Sequence, residues 1–304
     1  MLLVFEQLLN GLQLGVTLFL LSAGLTLVFG IMQVINLAHG SFYMIGAYVA
    51  ATVTAQTGSF LLGLAVALPV TALIGMLVEV SILRRLYQKE HVDQVLATFG
   101  LIMFFNELTR IIWGRQPLFM DVPSWLSGSI ELIPGIPYPS YRLAVIGVGL
   151  LVAMFLYLLF AYTRVGMQIR AGASNREMAA ALGINIKRLY TLVFGLGTLL
   201  AGLAGVMAGP ILAVEAGMGE SILILTFVVI VIGGIGSVRG AFVGALLVGM
   251  VDTLGRAFLP LFFRQLLPVA TADGVAASIA SMLIYILMAT ILIWRPRGLL
   301  PAHT

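Results

Sequence analysis

The sequence predicts an all-α, polytopic membrane protein, and three properties of the chain support this fold class. Of its 304 residues, 61% are hydrophobic and only 9% are charged, whereas about a quarter of a soluble domain is usually charged. The mean hydropathy is +1.12. Several apolar runs reach the roughly 20 residues that a helix needs to cross a bilayer. We therefore expect one transmembrane domain over residues 1–304.

The composition also excludes several classes of function. The chain has no cysteine, which rules out disulfides and thiolate metal sites. Its only lysines are Lys89 and Lys187, and neither lies in a glycine-rich loop that could hold nucleotide phosphates. We expect no cofactor, no metal and no catalysis by this chain, so any energy from ATP must enter through another subunit. The net charge of +4 needs no nucleic acid, because the basic residues cluster in loops.

The apolar runs divide the chain into about nine spans, with eight or ten as alternatives. The first has no Lys or Arg before it and no small-residue cleavage site, so we interpret it as a span and not a signal peptide. After Pro210 the hydropathy weakens, and the run ILAVEAGMGES is expected at the surface or in a half-helix. The spans are residues 8–30, 40–56, 61–83, 95–113, 141–162, 189–208, 222–235, 241–259 and 275–294.

The distribution of basic residues predicts the orientation of the nine spans. Cytoplasmic loops carry an excess of Lys and Arg, and alternate loops here hold eleven basic residues against three. This predicts an outside N-terminus and a cytoplasmic C-terminus. The larger set is Arg84, Arg85, Lys89, Arg164, Arg170, Arg176, Lys187, Arg188, Arg239, Arg295 and Arg297, and the smaller is Arg115, Arg142 and Arg264.

Two loops are long enough to meet other proteins. The loop of residues 163–188 is basic, and its Ser174 with Glu177 three residues on resembles a capping box. Residues 175–182 should follow as a short helix, which Gly183 is placed to end. Met178, Ala181 and Leu182 would form an apolar stripe on that helix. The loop of residues 114–140, on the other side, is rich in proline and aromatic residues.

Polar residues that interrupt the spans are candidates for a pathway or for helix contacts. Gln33, Asn36 and Gly40 have the spacing of one helical face, with His39 beside it. The sequence HGSF at His39 is echoed by RGAF at Arg239, and we expect both breaks at the cytoplasmic side. The second break includes Gly236, Arg239 and Gly240.

Acidic residues in the spans have nearby partners. Glu107 with Arg110, and Asp252 with Arg256, have the spacing of ion pairs on one helix face, and we interpret both as structural. The candidate binding partners of the Glu79 carboxylate are Arg84 and the surface of a partner protein. The sequence places no charged group clearly at the centre of the bilayer.

Four stretches resemble the membrane permeases of branched-chain amino-acid ABC importers, and they are spread along the chain in the same order as in that family. They are GLTLVFGIMQVINLAHGSFYMIGAYVA, ASNREMAAALGINIKRLY, FVVIVIGGIGSVRGAFVGALLVG and the terminal WRPRGL. The chain departs from the family pattern after the third span, where Arg84 and Arg85 stand in LRRLY.

The resemblance implies a permease in the cell inner membrane that works with a homologous second permease, two ATPase subunits and a substrate-binding protein. It implies that the short cytoplasmic helix couples the permease to an ATPase, through Asn175, Glu177, Met178, Ala181, Leu182 and Gly183. The cargo would be branched-chain or related small amino acids. Alternatives are a permease for urea or short amides, a secondary transporter driven by an ion gradient, and a channel.

Overall fold

The structure is a computed structural model that describes residues 2–133 and 135–302. It confirms the all-α polytopic class, since its described residues form eleven α-helices and only one two-stranded sheet. The helices are α1 (Leu2–Met32), α2 (His39–Thr57), α3 (Phe60–Ser81), α4 (His91–Trp113), α5 (Ser140–Tyr162), α6 (Arg164–Ser174), α7 (Arg176–Ala181), α8 (Ile186–Ala208), α9 (Met218–Gly233), α10 (Val238–Phe263) and α11 (Val269–Trp294).

Nine of these helices correspond to the nine predicted spans, and two are additional. Seven are long and apolar enough to cross a membrane by length and composition. The other two of the nine, α2 and α9, have 19 and 16 residues. How many helices cross the bilayer therefore stays a prediction. The additional helices α6 and α7 both lie in the basic loop of residues 163–188.

Helices α1 and α8 form the centre of the bundle. Most of α8 is buried, from Leu189 to its end above all, and it packs on α1, α2 and α3. Glycines make this packing close: a Cβ at Gly202 would meet the side chain of Thr71, and one at Gly46 would come within 2.5 Å of the Cα of Gly202. Small residues allow helix backbones to approach in this way in membrane proteins. The glycines of α8 thus serve the close packing of the helices.

The helices bring the eleven basic loop residues to one end of the bundle, which we call the basic end. At this end Gly30 of α1 meets Gly236, Ile31 accepts a hydrogen bond from Tyr190 of α8, and Arg84 contacts Thr191. The opposite end, which we call the outer-loop end, carries residues 114–139. There Asn10 of α1 accepts hydrogen bonds from Tyr138 and Arg142. Whether the basic end is cytoplasmic stays a prediction.

The outer-loop end includes the only sheet among the described residues. Strands β1 (Ser129–Ile133) and β2 (Ile136–Pro139) pair antiparallel, and Pro134 between them lies outside the described residues. Leu118 pairs with Val214 just after α8, and Met120 packs against Gly209. Burial raises the pKa of Tyr138 in β2, which keeps its hydroxyl protonated as the donor to Asn10. These contacts fix the segment to the bundle.

Two helices begin in the middle of the bundle after non-helical segments. Residues 33–38 return from the basic end without helical structure, and α2 then starts at His39. Residues 209–217 enter from the outer-loop end, and α9 then starts at Met218. The beginnings of α2 and α9 touch so closely that a Cβ at Gly40 would overlap the carbonyl of Gly219. Of the run ILAVEAGMGES, only residues 218–221 are helical, as the first turn of α9, and the residues before it form turns.

Candidate functional site

The short helix α7 lies at the basic end and is fixed by its own termini. Asn175 is its N-cap, and its side-chain oxygen accepts from the backbone N–H of Met178 at 2.9 Å. The capping position is one residue later than Ser174, because the chain at Asn175 is extended and Ser174 still belongs to α6. Gly183 follows with a φ of +89°, the left-handed conformation that suits glycine at a helix end.

The apolar stripe of α7 is uncovered in this chain. Met178 is 59% exposed and Leu182 is 76% exposed, and Ala181 is also exposed. The helix rests on the bundle through Ala179, which is buried. Leu182 lies at the edge of a groove of about 390 Å³, which is also lined by Gln168, Gly183, Ile184, Asn185, Arg188, Leu189 and Leu192.

The polar residues near His39 do not share a helical face, so that expectation was wrong. Helix α1 ends at Met32, and Gln33 has a φ of +54°, which turns the chain out of the helix. Asn36 is buried, with its side-chain oxygen accepting from Ala38 N–H. His39 is buried against α1 and contacts the carbonyl of Leu21 through Nε2 at 3.2 Å. These contacts are with the protein's own backbone.

The two glycine-containing breaks lie at different heights, which contradicts the expectation that both face the basic end. Gly236 and Gly240 are at that end, against Gly30 and Gly233. Exposed Arg239 places its guanidinium carbon 5.9 Å from the ring centre of Tyr157. Gly40, by contrast, meets the start of α9 beside Ile102, the central residue of α4. The four-residue echo in the sequence therefore does not mark equivalent places.

Glu79 is the centre of a buried polar cluster at the basic end. Its carboxylate has no exposed surface and accepts from Arg84 at 2.9 Å, from the Tyr87 hydroxyl at 2.6 Å and from the Thr191 hydroxyl at 2.7 Å. Burial, and then the bond to Glu79, raise the pKa of Tyr87 well above its usual range, so this hydroxyl remains a donor. Thr191 is in the first turns of α8, so the cluster connects α3 to the chain that leaves α7.

The two pairs expected within the spans have the geometry of ion pairs. Glu107 and Arg110 are 2.6 Å apart and both are exposed. Asp252 and Arg256 are 2.9 Å apart, with the Asp252 side chain nearly buried. Each pair lies within one helix, as its spacing suggested.

One polar contact was missed by the sequence analysis. Asn106 of α4 donates a hydrogen bond to the carboxylate of Glu220, in the first turn of α9. The two residues line a cleft with Leu37, Gly40, Ser41, Ile102 and Gly219. The weakened hydropathy after Pro210 was the only sign in the sequence of this polar contact. It could not give the position of Glu220, which depends on where α9 begins.

A bundle of long apolar helices, with a short helix at its basic end whose apolar side chains are exposed, is the architecture of a multi-pass membrane protein. Comparison with known proteins gives the family. The family model described as branched-chain amino acid transport system / permease component matches residues 7–292, and the chain belongs to this family. It is the permease subunit of an ABC importer and not an enzyme, and ATP hydrolysis belongs to separate ATPase subunits.

Two relatives are similar to this chain over most of their length. The high-affinity branched-chain amino acid transport system permease protein LivH of Salmonella typhimurium is 31% identical over 287 residues, which cover 87% of this chain and 90% of LivH. The corresponding protein BraD of Pseudomonas aeruginosa is 29% identical over 309 residues, which cover 97% of this chain and 95% of BraD.

Proposed function

We propose that this permease carries branched-chain or related small amino acids across the cell inner membrane. It would pair with a homologous second permease, take its cargo from a substrate-binding protein and receive energy from ATPase subunits. The names of the relatives support the choice of cargo. The observation that supports the coupling to an ATPase is the uncovered apolar stripe of α7.

The stripe needs a cover that this chain does not supply. Burying a leucine side chain is worth about 1.5–3 kcal/mol, and the exposed Met178 and Leu182 stand on a helix whose start and end are both fixed. A short helix of this kind fits into a groove of a partner protein. The neighbouring groove beside Leu182 would receive a side chain of that partner in return. Asn175, Glu177 and Gly183 would hold the helix in position.

Replacing Leu182 with Asp tests the coupling role. We expect Leu182→Asp to abolish co-purification of the ATPase and uptake of labelled leucine by the reconstituted importer, while insertion stays normal. The matched control is Ala180→Asp, which adds the same charge to an exposed position on another face of α7. If both variants bind the ATPase equally well, α7 is not the coupling helix. Uptake that persists without any ATPase subunit would instead favour a secondary transporter or a channel.

The outer-loop end is our proposed dock for the substrate-binding protein. Phe119 and Trp125 are largely exposed there, on a segment held by Leu118, Met120 and the β1–β2 hairpin. Exposed aromatic residues on a firmly held segment suit a protein interface. We expect the double variant Phe119→Ala and Trp125→Ala to weaken the stimulation of ATP hydrolysis by loaded binding protein, with basal hydrolysis unchanged. Unaltered stimulation would place the dock elsewhere.

A further inference from the structure

Helices α4 and α9 meet through the hydrogen bond between Asn106 and Glu220, at the edge of a narrow cleft. The carboxylate belongs to the first turn of α9, whose start packs against the start of α2. Asn106 is nearly buried on α4, whereas Glu220 is exposed. The charged group is thus open to a space beside the bundle.

The position of this contact along α4 gives its depth. Helix α4 has 23 residues, so it is about 34 Å long at 1.5 Å per residue. Asn106 is seven residues before Trp113, which places it about 10 Å from the outer-loop end of α4. With the outer-loop end of α4 taken as one edge of a hydrocarbon core of about 30 Å, Asn106 and its partner Glu220 are about 5 Å from the centre of the core.

A carboxylate at this depth cannot face lipid without a large cost. Acidic residues within membrane spans are rare, and they turn towards protein or a water-filled cavity. The same helix α4 shows the contrast, because Phe104, two residues before Asn106, is 57% exposed and apolar. One side of α4 is therefore suited to lipid, and the side with Asn106 and Glu220 is suited to water.

The structure assigns Glu220, with Asn106, as a contact for the ammonium group of a zwitterionic cargo inside the pathway, and this assignment rests on the proposed function. Asn106 donates through Nδ2 to Oε1 of Glu220. The second carboxylate oxygen and the amide oxygen of Asn106 have no partner among the described residues, which leaves two acceptors for a group with three N–H donors.

Water access can be tested without any cargo. The chain contains no cysteine, so Glu220→Cys and Phe104→Cys give single reactive sites at similar depth. In the assembled importer, a small charged thiol reagent should label Glu220→Cys, because thiolates form in water, and should leave Phe104→Cys unlabelled. Resistance of Glu220→Cys to the reagent would show that this position faces lipid or a tightly packed subunit, and would overturn the assignment.

Uptake measurements test the role of the charge. Glu220→Gln should keep the stimulation of ATP hydrolysis by loaded binding protein and reduce leucine uptake about ten-fold, since hydrogen bonds to charged groups are worth that much. Glu220→Asp should recover part of the uptake, and Glu90→Gln, an exposed carboxylate in a loop of the basic end, should match the wild type. Uptake within two-fold of wild type in Glu220→Gln overturns the ammonium contact alone. Absence of leucine uptake in the wild-type importer overturns the proposed function as well.

Discussion

At the scale of single residues, the acidic side chains of this protein differ mainly in how far their partners enclose them. Glu79 is fully buried and accepts from three different side chains. Asp252 is nearly buried but has the largely exposed Arg256 as its partner, whereas Glu107 is 63% exposed. An exposed ion pair contributes about 0–1 kcal/mol, while removing one member of a buried pair costs about 3–5 kcal/mol.

This ranking predicts the stability of three alanine variants. Glu79→Ala leaves Tyr87, Thr191 and Arg84 without their common acceptor, so it should lower the thermal unfolding midpoint in detergent by the largest amount. The cost should lie near the lower end of the buried-pair range, about 3 kcal/mol, because Arg84 is partly exposed and can reach solvent. Glu107→Ala should change the midpoint little, and Asp252→Ala should fall between the two. Equal shifts of the unfolding midpoint for all three variants would show that the burial of a carboxylate does not determine how much it stabilises the fold.

At the scale of the elements, the sequence predicted the long helices well and their interruptions poorly. Apolar runs locate helices such as α5, whose predicted and observed ends differ by at most one residue. The spacing of Gln33, Asn36 and Gly40 fits a helical face, yet residues 33–38 are not helical and Gly40 belongs to the next helix, α2. Local spacing could not reveal this, because the start of α2 is set by a contact with α9, about 180 residues away in the sequence.

The depth of Glu220 escaped prediction for the same reason. In the sequence it is one acidic residue in a polar break that could lie at the surface. Only the contact of α9 with α2, and the hydrogen bond to Asn106 of α4, place it beside the outer half of α4 and away from the helix ends. The N-cap of α7 was missed by one residue because Ser174 and Asn175 are both good caps, and the end of α6 selects between them.

The close contact between α2 and α9 predicts a strong effect of one methyl group. In Gly219→Ala, the added Cβ would overlap the carbonyl of Gly40, so the two helices must separate. We expect this variant to unfold at a clearly lower temperature and to lose uptake. The matched control is Gly100→Ala in α4, where a Cβ has no neighbour within 4 Å. That change should be neutral or stabilising, since alanine favours a helix by about 1 kcal/mol over glycine.

At the scale of the whole molecule, the fold gathers charges that are far apart in the sequence. The loop after α3, the loop with α6 and α7, and the chain after α11 all reach the basic end, because Glu79, Thr191, Gly234 and Gly298 bring them together. The eleven basic residues of one set of loops therefore lie at one end of the bundle, and the three of the other set lie at the opposite end. The positive-inside rule then predicts one orientation for the whole protein.

Cysteine labelling tests this orientation in a chain that has no cysteine of its own. Exposed Ser127 lies at the outer-loop end, and exposed Gln88 and Ala173 lie at the basic end. In right-side-out membrane vesicles, a thiol reagent that cannot cross membranes should label Ser127→Cys, and should label Gln88→Cys and Ala173→Cys only after permeabilisation. Inside-out vesicles should give the reverse. Labelling of Gln88→Cys from outside would show that the protein has the opposite orientation. It would also exclude α7 as the coupling helix, because ATPase subunits act from the cytoplasm.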